Sequence, residues 1–85
     1  MIVKLTKNQF DYLDYSLSEQ EGALRTRLQI NKENQFVFIE LDEETADEIR
    51  DWAMDKQVQV GFDENYELTS EGTILEELVD AFYIE

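Results

Sequence analysis

The chain has no cysteine, no histidine and no proline, only three glycines, and seven basic residues against twenty-one acidic ones. Each shortage removes a class of structure or chemistry. Without cysteine there is no disulfide or thiolate metal site to reinforce the fold, and nothing ties the chain to an oxidising compartment, so a cytoplasmic location is expected. Without histidine the commonest general base is missing, along with the Ser-His and Cys-His nucleophile pairs, and Ser16, Ser18 and Ser70 have no evident activator. Structural zinc relies on the same two residue types, so no such site is expected. The glycines at 22, 61 and 72 are too scattered for a P-loop or a G-x-G-x-x-G phosphate cradle, so no cofactor is expected.

Apolar runs are short as well. None approaches the ~20 residues of a membrane span, and Met1-Ile2-Val3-Lys4-Leu5 turns polar too soon for a signal h-region. Carboxylates can serve as acid and base, but such sites need one acid with a raised pKa in an apolar cleft, and this chain leaves little volume for one. Asp63-Glu64-Asn65-Tyr66-Glu67 begins like a calcium loop, with oxygens at positions one, three and five. It then places Leu68 where the glycine belongs and Ile74 where the bidentate glutamate belongs. The expectation is a protein without catalysis, cofactor or metal.

What is present is enough to fold. Eighty-five residues make one domain with a small core, and 42% hydrophobic content with ten aromatics is too apolar for a disordered chain. Residues 1 to 6 suit a short strand. Thr6 and Gln9 have capping-box spacing and predict a helix from about Lys7 to Gln20, with Phe10, Leu13 and Leu17 inward and Gly22 ending it. Tyr12 and Tyr15 fall off that stripe. Residues 23 to 30 alternate Leu24, Thr26, Leu28 and Ile30 against Arg25, Arg27 and Gln29, which predicts a strand. Asn31 to Asn34 form a turn, and Gln35 to Leu41 return antiparallel. Arg25 and Arg27 are expected to pair with carboxylates of this chain or of a second copy.

Asp42 is a good N-cap for a second helix, with Glu43 and Glu44 at its positive end and Leu41 and Ala46 as a staple. Ala46, Ile49, Trp52 and Ala53 form its apolar side. Its end is set near Gln57, because Val58 would fall on the acidic side of a longer helix whereas Val58, Val60 and Phe62 alternate like a strand. After a turn at Asp63-Glu64-Asn65 and an extended piece to Leu68, Thr69 or Ser70 caps a third helix with Ile74, Leu75, Leu78, Val79 and Phe82 inward. The expected fold is thus a single α+β domain over residues 1–85, in the order β-α-β-β-α-(extended)-α, an antiparallel hairpin packed by amphipathic helices. Tyr66-Glu67-Leu68-Thr69 followed by Gly72 and Leu75 resembles the last wing strand and following helix of winged-helix domains. That resemblance covers ten residues and implies DNA binding, against which the charge argues.

The charge is divided unevenly. Residues 42–85 hold fifteen acids against Arg50 and Lys56, a balance of −13 within a total of −14, while residues 1–41 are nearly neutral. Such a surface repels phosphates and anionic membranes, so neither nucleic acid nor membrane is an expected direct partner. Glu44, Asp47, Glu48, Asp51 and Asp55 line up on the second helix over a rise of about 16 Å, one per roughly 4 Å, close to the ~3.4 Å phosphate repeat of one DNA strand. Trp52 flanks the row where an aromatic anchor is expected, and Glu76, Glu77 and Asp80 continue it if the second and third helices lie side by side. Like charges at i, i+4 cost an isolated helix a few tenths of a kcal/mol per pair, and little lysine is interspersed.

The expected function is an acidic binding or inhibitory protein that occludes a basic surface on a protein partner, such as a nuclease or other nucleic-acid-binding protein. In size and charge the chain is similar to phage-encoded DNA mimics and to nuclease-neutralising immunity proteins. The alternative is an accessory subunit or homodimer with apolar contacts through the hairpin edge or third helix. There the acidic side is only a solvated helix face and Trp52 only packs the core.

Overall fold

Thr6 opens the first helix with the reciprocal cap its spacing predicts: its Oγ1 accepts the Gln9 backbone N–H at 3.2 Å, and Gln9 Oε1 accepts that of Thr6 at 3.0 Å. The computed structural model describes residues 1–83. Its elements are β1 (Ile2–Thr6), α1 (Lys7–Gln20), α2 (Gly22–Thr26), β2 (Gln29–Glu33), β3 (Phe36–Glu40), α3 (Glu43–Val60) and α4 (Ser70–Ala81). The fold is α+β, in the order β-α-α-β-β-α-α.

β3 lies at the centre of a three-stranded antiparallel sheet, between β1 and β2. The register pairs Val3 with Ile39 and Leu5 with Val37 on one edge, and Ile30 with Ile39 on the other. Strand alternation therefore turns Val3, Leu5, Val37 and Ile39 to one face, where they are buried with Phe10, Leu13 and Leu17 of α1 and Leu75, Leu78 and Phe82 of the α4 segment. Full burial of each large side chain contributes about 1.5–3 kcal/mol, the main term holding so small a domain. α1 and α4 pack on the sheet, while α3 lies against α4 and α2.

Two expectations are overturned. Residues 23 to 30 do not form one strand: Gly22 opens the short helix α2, and the strand begins only at Gln29. Leu24 and Leu28 are two strand repeats apart, but also about one helical turn apart, so either conformation buries both. The helical one leaves Thr26 exposed where a strand would bury it, and turns Arg25 toward Asp14 and Arg27 toward Glu48. The later start moves the hairpin loop from 31–34 to Asn34-Gln35. The intrachain pairing of both arginines stands, although they sit at α2 rather than on a strand.

The second correction is at the end of α3. The helix continues to Val60 and is closed by Gly61, whose N–H reaches Gln57 O at 2.8 Å. A strand at 58–62 needs a partner ladder. Among the described residues there is a single bridge, Phe62 to Leu68, so the helix keeps the backbone groups it would have lost. The same bridge is all that stands where the winged-helix resemblance places a strand. The capped ends proved easier to read: Asp42 Oδ1 accepts from Thr45 N at 2.7 Å, and Thr69 Oγ1 accepts from Gly72 N at 2.9 Å.

Gly72 serves packing rather than a turn. A Cβ there would stand 2.3 Å from Gly61 O, so the start of α4 can lie against the end of α3 only without a side chain. Among the described residues no helix is long and apolar enough to cross a membrane.

Candidate functional site

Burial of Ala46, Ile49 and Ala53 fixes the rotation of α3, and the opposite side follows from helical geometry. Glu44, Asp47, Glu48, Asp51 and Asp55 are all exposed, in the row expected from the sequence. Among the described residues the ion pairs are Arg25 with Asp14 and Arg27 with Glu48. Glu48 is thus tied to α2, while Glu44, Asp47, Asp51 and Asp55 keep their charge unpaired.

Trp52 stands between this row and the core. Its ring is half-buried and packs on the core cluster, its indole N–H donates to Gln20 Oε1 at 3.4 Å, and Lys56 Nζ lies 5.8 Å from the ring centroid. It also lines an open cavity of about 550 Å³ between α2 and α3, together with Arg27, Glu48, Asp51 and Asp55. Core packing and exposure at the row's margin are therefore both realised by this one side chain.

α3 and α4 do lie side by side. Glu76 and Asp80 are exposed on α4. Glu77 is turned elsewhere: its Oε2 accepts from Gln9 Nε2 of α1 at 2.9 Å, and it lies about 140° around the helix from Gly72, on which α3 leans. Tyr12 also joins α4 to α1, donating to Glu71 Oε2 at 2.6 Å. Burial pushes the Tyr12 phenol well above its ordinary range, reinforced by the Glu71 carboxylate. Tyr15 is exposed.

An apolar continuation of the row was missed. Val58, three residues beyond Asp55 on the same side of the helix, is 82% exposed, and the loop that follows exposes Phe62, Leu68 and Tyr66, the last at 88%. The loop has a defined shape. Asp63 Oδ1 accepts from Asn65 N at 2.8 Å and Glu67 N at 3.0 Å, and Tyr66 is held at φ 60, a left-handed conformation few side chains of its bulk adopt. The sequence did carry a signal: Val58 falls on the acidic side once the helix is extended. No group of three or more acids among the described residues converges in a way that could hold a metal ion. Comparison with protein-family models, curated proteins and solved structures gives no match.

Proposed function

We propose that this chain is a non-catalytic binding protein whose α3 face occludes a basic surface of a protein partner, and that the surface is one built for nucleic acid. The observation that supports this most is the exposed row on α3: Glu44, Asp47, Asp51 and Asp55 are unpaired among the described residues and stand roughly one per 5.5 Å of rise. With the Arg27-paired Glu48 the row holds one carboxylate per roughly 4 Å, near the ~3.4 Å phosphate repeat of one DNA strand. A cationic groove gains from such a row both in encounter rate and in discrimination against other partners. Glu76 and Asp80 widen the field. The exposed Val58 and Phe62 at its end offer the apolar contact that charge alone does not supply.

The test is displacement. Nucleic-acid-binding proteins from the source cells are held on immobilised duplex DNA and eluted with this protein or with an Asp47→Lys/Asp51→Lys/Asp55→Lys variant. Glu48 is left in place because it pairs with Arg27. The wild type should release a defined protein that the variant does not. Equal release by both, or none by either, would sink the reading.

A further inference from the structure

We propose that the uncovered face of the sheet is a self-association surface, on which two copies of this chain pack through Phe36 and Phe38. Among the described residues, helices cover one face of the sheet only, the one that carries Val3, Leu5, Val37 and Ile39. Strand alternation sends Ile2, Lys4 and Thr6 of β1, Phe36, Phe38 and Glu40 of β3, and Gln29, Asn31 and Glu33 of β2 to the other. Neither phenylalanine belongs to the core cluster or packs against it. An antiparallel sheet with one solvated face ordinarily carries polar residues there, and an aromatic pair on its central strand is a mark of a contact surface. Beside the pair a cavity of about 330 Å³ opens at the hairpin.

Charge selects the occupant. The helical side carries most of the −14 and repels a second copy, whereas this face holds only Lys4, Glu33 and Glu40. A strongly charged partner of either sign gains little from so balanced a face. A two-fold contact needs both signs on one patch, and both are present. A two-fold axis along β3 stacks the phenylalanines of the two copies and lays β1 over the second copy's β2. Since Lys4 and Asn31 are both level with Phe38 in the register, Lys4 then stands over Asn31 of the second copy, one pleat, or about 6.6 Å, from its Glu33. A lysine side chain spans that gap. Lys4 Nζ now lies 4.0 Å from the Phe36 ring centroid, already over the aromatic patch.

The face measures roughly 16 Å by 14 Å, small against the ~800 Å² per partner of a stable complex, so the dimer belongs to the weak, concentration-dependent class. It leaves both α3 rows facing outward and would make the molecule bivalent. It does not rest on the function proposed for that row, and the two respond to salt in opposite directions. Salt screens the repulsion between two −14 copies and strengthens the dimer, while it weakens binding through the row.

Sedimentation equilibrium of the full chain from about 1 μM to about 1 mM, at low and high salt, decides it. The wild type should rise from 10.1 kDa toward twice that mass, more readily at high salt. Phe38→Asp should raise the dissociation constant at least about 30-fold, the loss expected of an interface hot spot. Should that variant misfold by circular dichroism, the charge pair carries the test: Lys4→Glu weakens association and Lys4→Glu with Glu33→Lys restores it. A wild type that stays at 10.1 kDa throughout overturns the proposal, as does undiminished association of folded Phe38→Asp or a double exchange that restores nothing.

Discussion

Along α3 four carboxylates stand in a row, unpaired among the described residues, while on the outer face of the sheet three charges of mixed sign surround two phenylalanines. The two surfaces lie on opposite sides of one core, and each is suited to a contact the other would oppose. A dense field of one sign recruits its opposite at long range and forbids a second copy. A nearly neutral face with an aromatic centre attracts nothing from a distance but tolerates its own image. Segregating charge between the two halves of the sequence lets 85 residues present both.

The largest way to break the contrast is to remove its charged half. Asp47→Lys/Asp51→Lys/Asp55→Lys lowers the net charge from −14 to −8 and should weaken partner binding at least about a hundredfold, the scale of losing several complementary charges. In the same protein the sheet-face dimer should tighten, which sedimentation would register. Gly72→Ala strikes the α3–α4 junction, where the added Cβ would meet Gly61 O at 2.3 Å. It should cost about 1–3 kcal/mol in denaturant unfolding, with amide exchange accelerating in α3 and α4 before the sheet.

Tyr12→Phe acts between α1 and α4 and should cost about 0.5–1.5 kcal/mol at neutral pH through the lost bond to Glu71. It should also change the alkaline limb. The Tyr12 phenol is raised in the folded state, so its contribution is complete below the ordinary tyrosine range and is lost as pH climbs from that range through the raised folded value. The wild type should therefore decline there more steeply than the variant. The smallest effect is at the head of α3. Hydrogen bonds from Thr45 hold the Asp42 carboxyl below its usual range, so the stability it adds is present above that range and fades as pH falls through the lowered value. Asp42→Asn should be slightly less stable near neutrality, with the difference closing in acid, as urea midpoints across pH would show.

The caps were legible because they depend on residues three apart, as with Thr6 and Gln9, Asp42 and Thr45, or Thr69 and Gly72. The row on α3 was legible for the same reason, since one helix fixes its geometry. Residues 22–28 were not, because Leu24 and Leu28 satisfy both periods, and the carboxylates that meet Arg25 and Arg27, Asp14 and Glu48, lie 11 and 21 residues away. Nor was the exposed end of α3, which extends past Gln57 where the described residues supply a strand partner at only one position. Glu77 shows the same limit: its place on a polar side was readable, its turn toward Gln9 was not.

The most direct test of the central claim is the salt dependence of binding to whatever protein the wild type displaces from duplex DNA. Affinity measured between about 10 mM and 1 M salt, over which the screening length falls from about 30 to about 3 Å, should drop at least tenfold, and the three-site reversal should bind weakly throughout. Binding that is indifferent both to salt and to the reversal would contradict it.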